Sequence, residues 1–149
     1  MSYFLSGITV ISIGLMIGVE LSVWAFINPI LWKLEVHARS QAVRLFAQKL
    51  GAVMPFWYAG NFVLLIVEAA AVRRQPATWL LAAAAGIWAA VIVLTLIFLV
   101  PINNRLARPE PGFSHENAHR EHVRWDARHR ARVVALGAAL VLLLMGLHV

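Results

Sequence analysis

The sequence predicts an all-α integral membrane protein: a four-helix bundle with an amphipathic helical extension leading into the fourth span. Three observations carry this. Four long apolar runs alternate with polar connections. The chain is 61% hydrophobic and 13% charged, with a mean hydropathy of +0.75, whereas soluble domains carry about twice that charged fraction. The basic residues also gather on one side of the bundle that the runs define.

The first apolar run covers about residues 4–32, interrupted by Glu20 and Asn28-Pro29. At about 1.5 Å per residue it exceeds a hydrocarbon core of roughly 30 Å, so it tilts or bends near Pro29. It lacks a basic leader and an A-x-A-like site, and reads as a retained span. The second run, about 54–72, contains Asn61 and Glu68 and gives way to the turn Arg73-Arg74-Gln75-Pro76. The third, about 78–100, has no charged residue and stops at Pro101. The fourth, about 131–147, is short, so its helix starts earlier, with Ser114 as the expected N-cap. Residues 33–53 carry Ala42, Leu45, Phe46 and Leu50 at helical spacing among charges, and read as an interfacial helix or an extension of the first span. No internal repeat is visible, and residues 1–149 read as one domain.

The net charge is +6. In a soluble chain that would suggest nucleic acid, but here the cations lie between apolar runs, so no nucleic-acid partner is expected and anionic lipid accounts for them better. Lys33, Arg39, Arg44, Lys49, Arg105, Arg108, Arg120, Arg124, Arg128, Arg130 and Arg132 lie on one face; Arg73 and Arg74 lie on the other. The positive-inside rule puts the long connections in the cytoplasm and both termini outside. The abundant Ala and Arg fit a GC-rich bacterial genome, and the expected location is a bacterial inner membrane. With no cysteine, thiolate chemistry and disulfides are excluded.

Intramembrane carboxylates are the first candidates for chemistry, because an ionised Glu in hydrocarbon is costly. Glu20 lies near mid-membrane and suits either a protonated interhelical hydrogen bond or a proton-transfer role. Glu68 lies one turn from Arg73 and reads as half of a helix-end ion pair; Asn61 can bridge helices. His115, His119, His122 and His129 are spaced to share one helical face. His119 and His122 can ligate a metal such as iron or copper through two imidazoles, with His37 as a further candidate; an ordinary solvated helix is the alternative. Asn28, Asn103, Asn104, Trp125, His129 and Arg132 converge at one end of an antiparallel bundle, where they form a polar pocket suited to an amphipathic substrate.

The run Val100-Pro101-Ile102-Asn103-Asn104-Arg105-Leu106, followed by Trp125, His129 and Arg132, resembles the small four-span anthrone oxygenase-like proteins. In that family a P-x-N-x-x-L stretch ends the third span, and a Trp, a His four residues on and an Arg three further open the fourth. Glu20 and Asn28-Pro29 also fit. The resemblance implies oxygen-dependent oxidation of an aromatic, anthrone- or quinol-like molecule, with O2 as co-substrate and with or without a metal. His129 or Glu20 would act as base, Arg132 with Asn103 or Asn104 would stabilise the oxyanion, and Asn28, Asn61 and Trp125 would contact substrate. The His115–His122 stretch lies outside the signature, so a metal there rests on spacing alone. A small-molecule or ion carrier, or a non-catalytic membrane subunit, is the alternative reading. A homo-oligomer packed through Ala82–Gly86 is compatible with either.

Overall fold

In the computed structural model the described residues are 3–73, 75–109, 111–112 and 114–148; Arg74, part of the anticipated turn, lies outside them. The described residues form four helices long and apolar enough to cross a membrane: α1 (Tyr3–Leu31), α2 (Val36–Ala71), α3 (Ala77–Ala107) and α4 (His115–His148). Each turns its seam inward at alternating three- and four-residue spacing. The seams are Thr9, Ile13, Met16, Glu20 in α1; Tyr58, Asn61, Leu65, Glu68 in α2; Leu81, Ala84, Trp88, Val91 in α3; and His122, Asp126, His129, Val133, Leu136 in α4. This is the pattern of near-parallel helix packing. α4 packs most extensively on α3. Gly146 allows the closest approach there, since a Cβ on it would lie 2.9 Å from Leu81. Ala84 and Ala85 are buried within the bundle, while Ala82, Ala83 and Gly86 face outward.

The boundaries differ from expectation in two places. Residues 36–53 continue into α2 rather than extending the first span. The break falls at Trp32–Glu35, where tight-turn hydrogen bonds close α1 and an extended Glu35 (ψ 152°) starts α2. The third span also does not stop at Pro101 but runs on to Ala107, because Pro is well placed in the first turn of a new helical segment. Ser114 does cap α4, its Oγ accepting from the Asn117 N–H at 3.2 Å.

Within the spans, two of the described helices depart from α-helical geometry at a common level. α1 opens into a π turn at Val23–Ile27, just before Pro29, and α3 does so at Thr95–Leu99, just before Pro101. In both, the residue preceding the proline donates its N–H five residues back, Asn28 to Val23 and Val100 to Thr95. Both wide turns sit where a proline has no N–H to continue the ladder. Phe98 C=O, within the second, accepts from Arg128. α2 carries Pro55 in its interior, one turn after Gly51. Irregular backbone at membrane depth is tolerated where it lines a cavity, and a cavity lies at this level. It is walled by members of both buried apolar clusters: Tyr58 from the larger, and Leu31, Val43 and Leu106 from the smaller one at the basic end.

Candidate active site

α4 supplies more of the polar wall than any other helix, through His122, Trp125, His129 and Arg132. Glu20 of α1, 2% exposed, meets it directly. Its Oε2 accepts from Arg132 at 2.6 Å, and its Oε1 accepts from the Tyr58 hydroxyl at 2.9 Å. His129 is fixed at both nitrogens. Its Nε2 lies 3.0 Å from the Glu20 carbonyl oxygen, which can only accept, so Nε2 carries the proton. Its Nδ1 lies 3.0 Å from an Arg132 nitrogen and 3.2 Å from Glu20 Oε2. In the neutral ring Nδ1 accepts from Arg132; protonated, it donates to Glu20. The guanidinium also lies 5.5 Å from the centre of the Tyr58 ring, and Trp88 braces Tyr58 by donating to its carbonyl. A carboxylate this deep is tolerable because charge and hydrogen bonds meet both oxygens.

Towards the basic end the aromatic rings form a column. Trp125 stacks on His129 at 4.5 Å between centroids, and His122 stacks on Trp32 at 4.4 Å. Asn28 donates to Asp126 at 2.6 Å, and Arg130 holds the other Asp126 oxygen.

These groups border a cavity of about 340 Å³, within the range of small-ligand sites. Most of its wall is apolar. Among the described residues, four buried side-chain polar atoms lack a hydrogen-bond partner: Thr95 Oγ1, His122 Nδ1, Trp125 Nε1 and Arg132 Nε. All four belong to residues that line this cavity. A helical threonine ordinarily returns its hydroxyl to a carbonyl of the preceding turn; Thr95, inside the π turn, does not.

Of the residues singled out in the sequence, Glu20, Asn28, Asn103, Asn104, Trp125, His129 and Arg132 line the cavity. Asn61 does not. It accepts from Ser12 at 2.6 Å and donates to Met16 in the other half of the bundle. Glu68, fully buried, accepts from Thr9 and Ser6 of α1 instead of pairing with Arg73. His119 and His122 both lie against an aromatic side chain, Trp32, edge-on and stacked respectively, and no group of three or more His, Asp or Glu among the described residues could hold a metal ion. The metal reading drawn from their spacing is therefore not supported. Tyr58, Thr95 and Asp126 were missed. The signal for Tyr58 and Asp126 was their seam position, three residues before Asn61 and before His129. Nothing in the sequence singles out Thr95.

Fold and cavity together define a small four-span membrane protein whose buried Glu–Arg–His cluster faces an apolar chamber. The chain belongs to the anthrone oxygenase family, whose model matches residues 42–142. That stretch includes Tyr58, Asn103, Trp125, His129 and Arg132; Glu20 and Asn28 precede it. No curated protein and no solved structure matches the chain.

Proposed function

We propose that this protein is a membrane oxygenase that converts an activated methylene of a flat aromatic ketone, such as an anthrone, to a carbonyl. One observation carries the reading: every unpartnered buried polar side-chain atom among the described residues belongs to a residue that lines the same apolar chamber, beside the Glu20 cluster. Such atoms are costly unless a ligand meets them, and three of them offer N–H or O–H donors to ligand oxygens.

Glu20 is the base. His129 is a positioning residue, since its Nε2–H is committed to the Glu20 carbonyl and its Nδ1 faces Arg132 and Glu20. Glu20 removes one C–H proton, and the electron pair delocalises onto the ketone oxygen. Arg132 Nε–H and Trp125 Nε1–H stabilise that oxyanion. The carbanion passes an electron to O2 and recombines with the superoxide, forming a C–O bond. The peroxide takes a proton from Glu20. Loss of the second C–H proton then breaks the O–O bond, forming the carbonyl and releasing water. The balance is one methylene plus O2 to one carbonyl plus water. Asn28, Asn103 and Asn104 contact the rest of the ligand. Under labelled dioxygen, the purified protein and anthrone are expected to give quinone with one labelled oxygen and one labelled water. Unlabelled quinone with free hydrogen peroxide would overturn the reading.

The substrate reaches the chamber from the lipid between α2 and α3. Gly51, Pro55 and Ala59 stand one turn apart on α2, exposed yet lining the cavity, and Leu96 of α3 is 59% exposed opposite them. A Cβ at Gly51 meets nothing within 4 Å. Gly51→Leu is therefore expected to raise KM several-fold while stabilising the helix by up to about 1 kcal/mol. Steady-state oxygen uptake and thermal unfolding separate the two effects. By the positive-inside rule the chamber lies at the cytoplasmic end, with both termini outside a bacterial inner membrane.

A further inference from the structure

A second pocket, of about 160 Å³, lies at the basic end where the first turns of α2 and α4 approach each other. Its wall carries His37, Arg39 and Arg44 from α2 and His115, His119 and His122 from α4, and no carboxylate among the described residues. Four facts point to an anion. Two long helices present their N-termini here, and the N-cap of α2, Glu35, makes no side-chain cap, so the first N–H groups of that helix are free to face a ligand. Arg39 and Arg44 make no ion pair among the described residues, while the nearby cations Arg120 and Arg124 are taken up by Glu116 and Glu121. His122 is 3% exposed, stands in the wall, and its Nδ1 has no hydrogen-bond partner. Finally, His37 and His115 face each other across the pocket at 5.9 Å, with the Ser40 oxygen 3.3 Å from His115 Nδ1.

Exposed Leu34, Val36 and Leu45 adjoin these cations on the same segment, so the pocket opens where apolar and basic surfaces meet. We infer that this pocket binds a phosphate group at the membrane surface, carried by an anionic lipid headgroup or free in solution. It adjoins the oxidation chamber, with Val43, Leu106 and His122 bordering both.

The test uses the full-length protein, delipidated in detergent. Retention of phosphatidylglycerol and phosphatidylcholine is compared by native mass spectrometry, and inorganic phosphate is titrated calorimetrically. The variants are Arg44→Gln with His115→Gln, both at exposed positions where folding is not at stake, and Arg120→Gln as a cation outside the pocket. Preferential retention of phosphatidylglycerol, falling about tenfold or more in the double variant and unchanged in Arg120→Gln, supports a lipid headgroup. Phosphate binding with the same dependence supports a soluble source. Equal retention of both lipids without phosphate binding, or an equal loss in Arg120→Gln, overturns the site.

Discussion

Glu20→Gln is expected to lower turnover by about 10²- to 10⁴-fold, the usual contribution of a positioned proton acceptor, while the protein stays folded. The substitution is nearly isosteric. The amide oxygen can still accept from either Tyr58 or Arg132, so the seam position stays filled. What disappears is the basic carboxylate beside the chamber. The measurement is oxygen uptake with anthrone, with elution volume and helical content as controls. Substrate affinity is expected to change little, because the proposed polar contacts to the ligand come from residues other than Glu20. Loss of affinity with turnover intact would make Glu20 a binding residue instead.

Arg132→Ala has the larger structural consequence. The guanidinium meets Glu20 Oε2, His129 Nδ1 and the Tyr58 ring. Its removal leaves a carboxylate 2% exposed without its counter-charge. Breaking a buried pair from one side costs about 3–5 kcal/mol, a large part of the stability of most domains. A marked drop in the unfolding temperature is therefore expected, together with loss of activity. Arg132→Ala combined with Glu20→Gln removes both charges and is expected to recover much of the stability but none of the activity. If the double variant is no more stable than Arg132→Ala alone, the pair is not the source of the loss.

The fold was legible because lipid is a simple solvent: apolar length sets spans, and basic residues mark one end. The helix joins were harder to read. Residues 36–53 have helical periodicity, but periodicity does not say which neighbour a helix continues into, and the break at Trp32–Glu35 contains no glycine or proline. Pro101 read as a stop because prolines usually end helices; the π turn before it lets α3 continue.

The site was legible where charge is rare. Glu20, His129 and Arg132 stood out as polar groups in or beside apolar runs, and they do meet. The side chains that refine the chemistry were less visible. Tyr58 and Trp88 look like ordinary bundle aromatics until hydrogen bonds connect them to Glu20. Thr95 gains its meaning from a local change in backbone pitch. His119 and His122 share a helical face, but Trp32, just past the end of α1, packs on both rings, and spacing along one helix carries no information about neighbouring segments. The same limit applies to Asn61 and Glu68, whose partners on α1 are hydroxyls and a thioether.

Glu68 provides the control for the central claim, since two glutamates are buried among the described residues and, of these two, only Glu20 borders the chamber. Oxygen consumption with anthrone should be measured side by side for the unaltered protein, Glu20→Gln and Glu68→Gln. Near-complete loss in Glu20→Gln with activity retained in Glu68→Gln is the predicted result. Full activity in Glu20→Gln, or equal loss in both, would contradict an oxidation site at the basic end of the bundle.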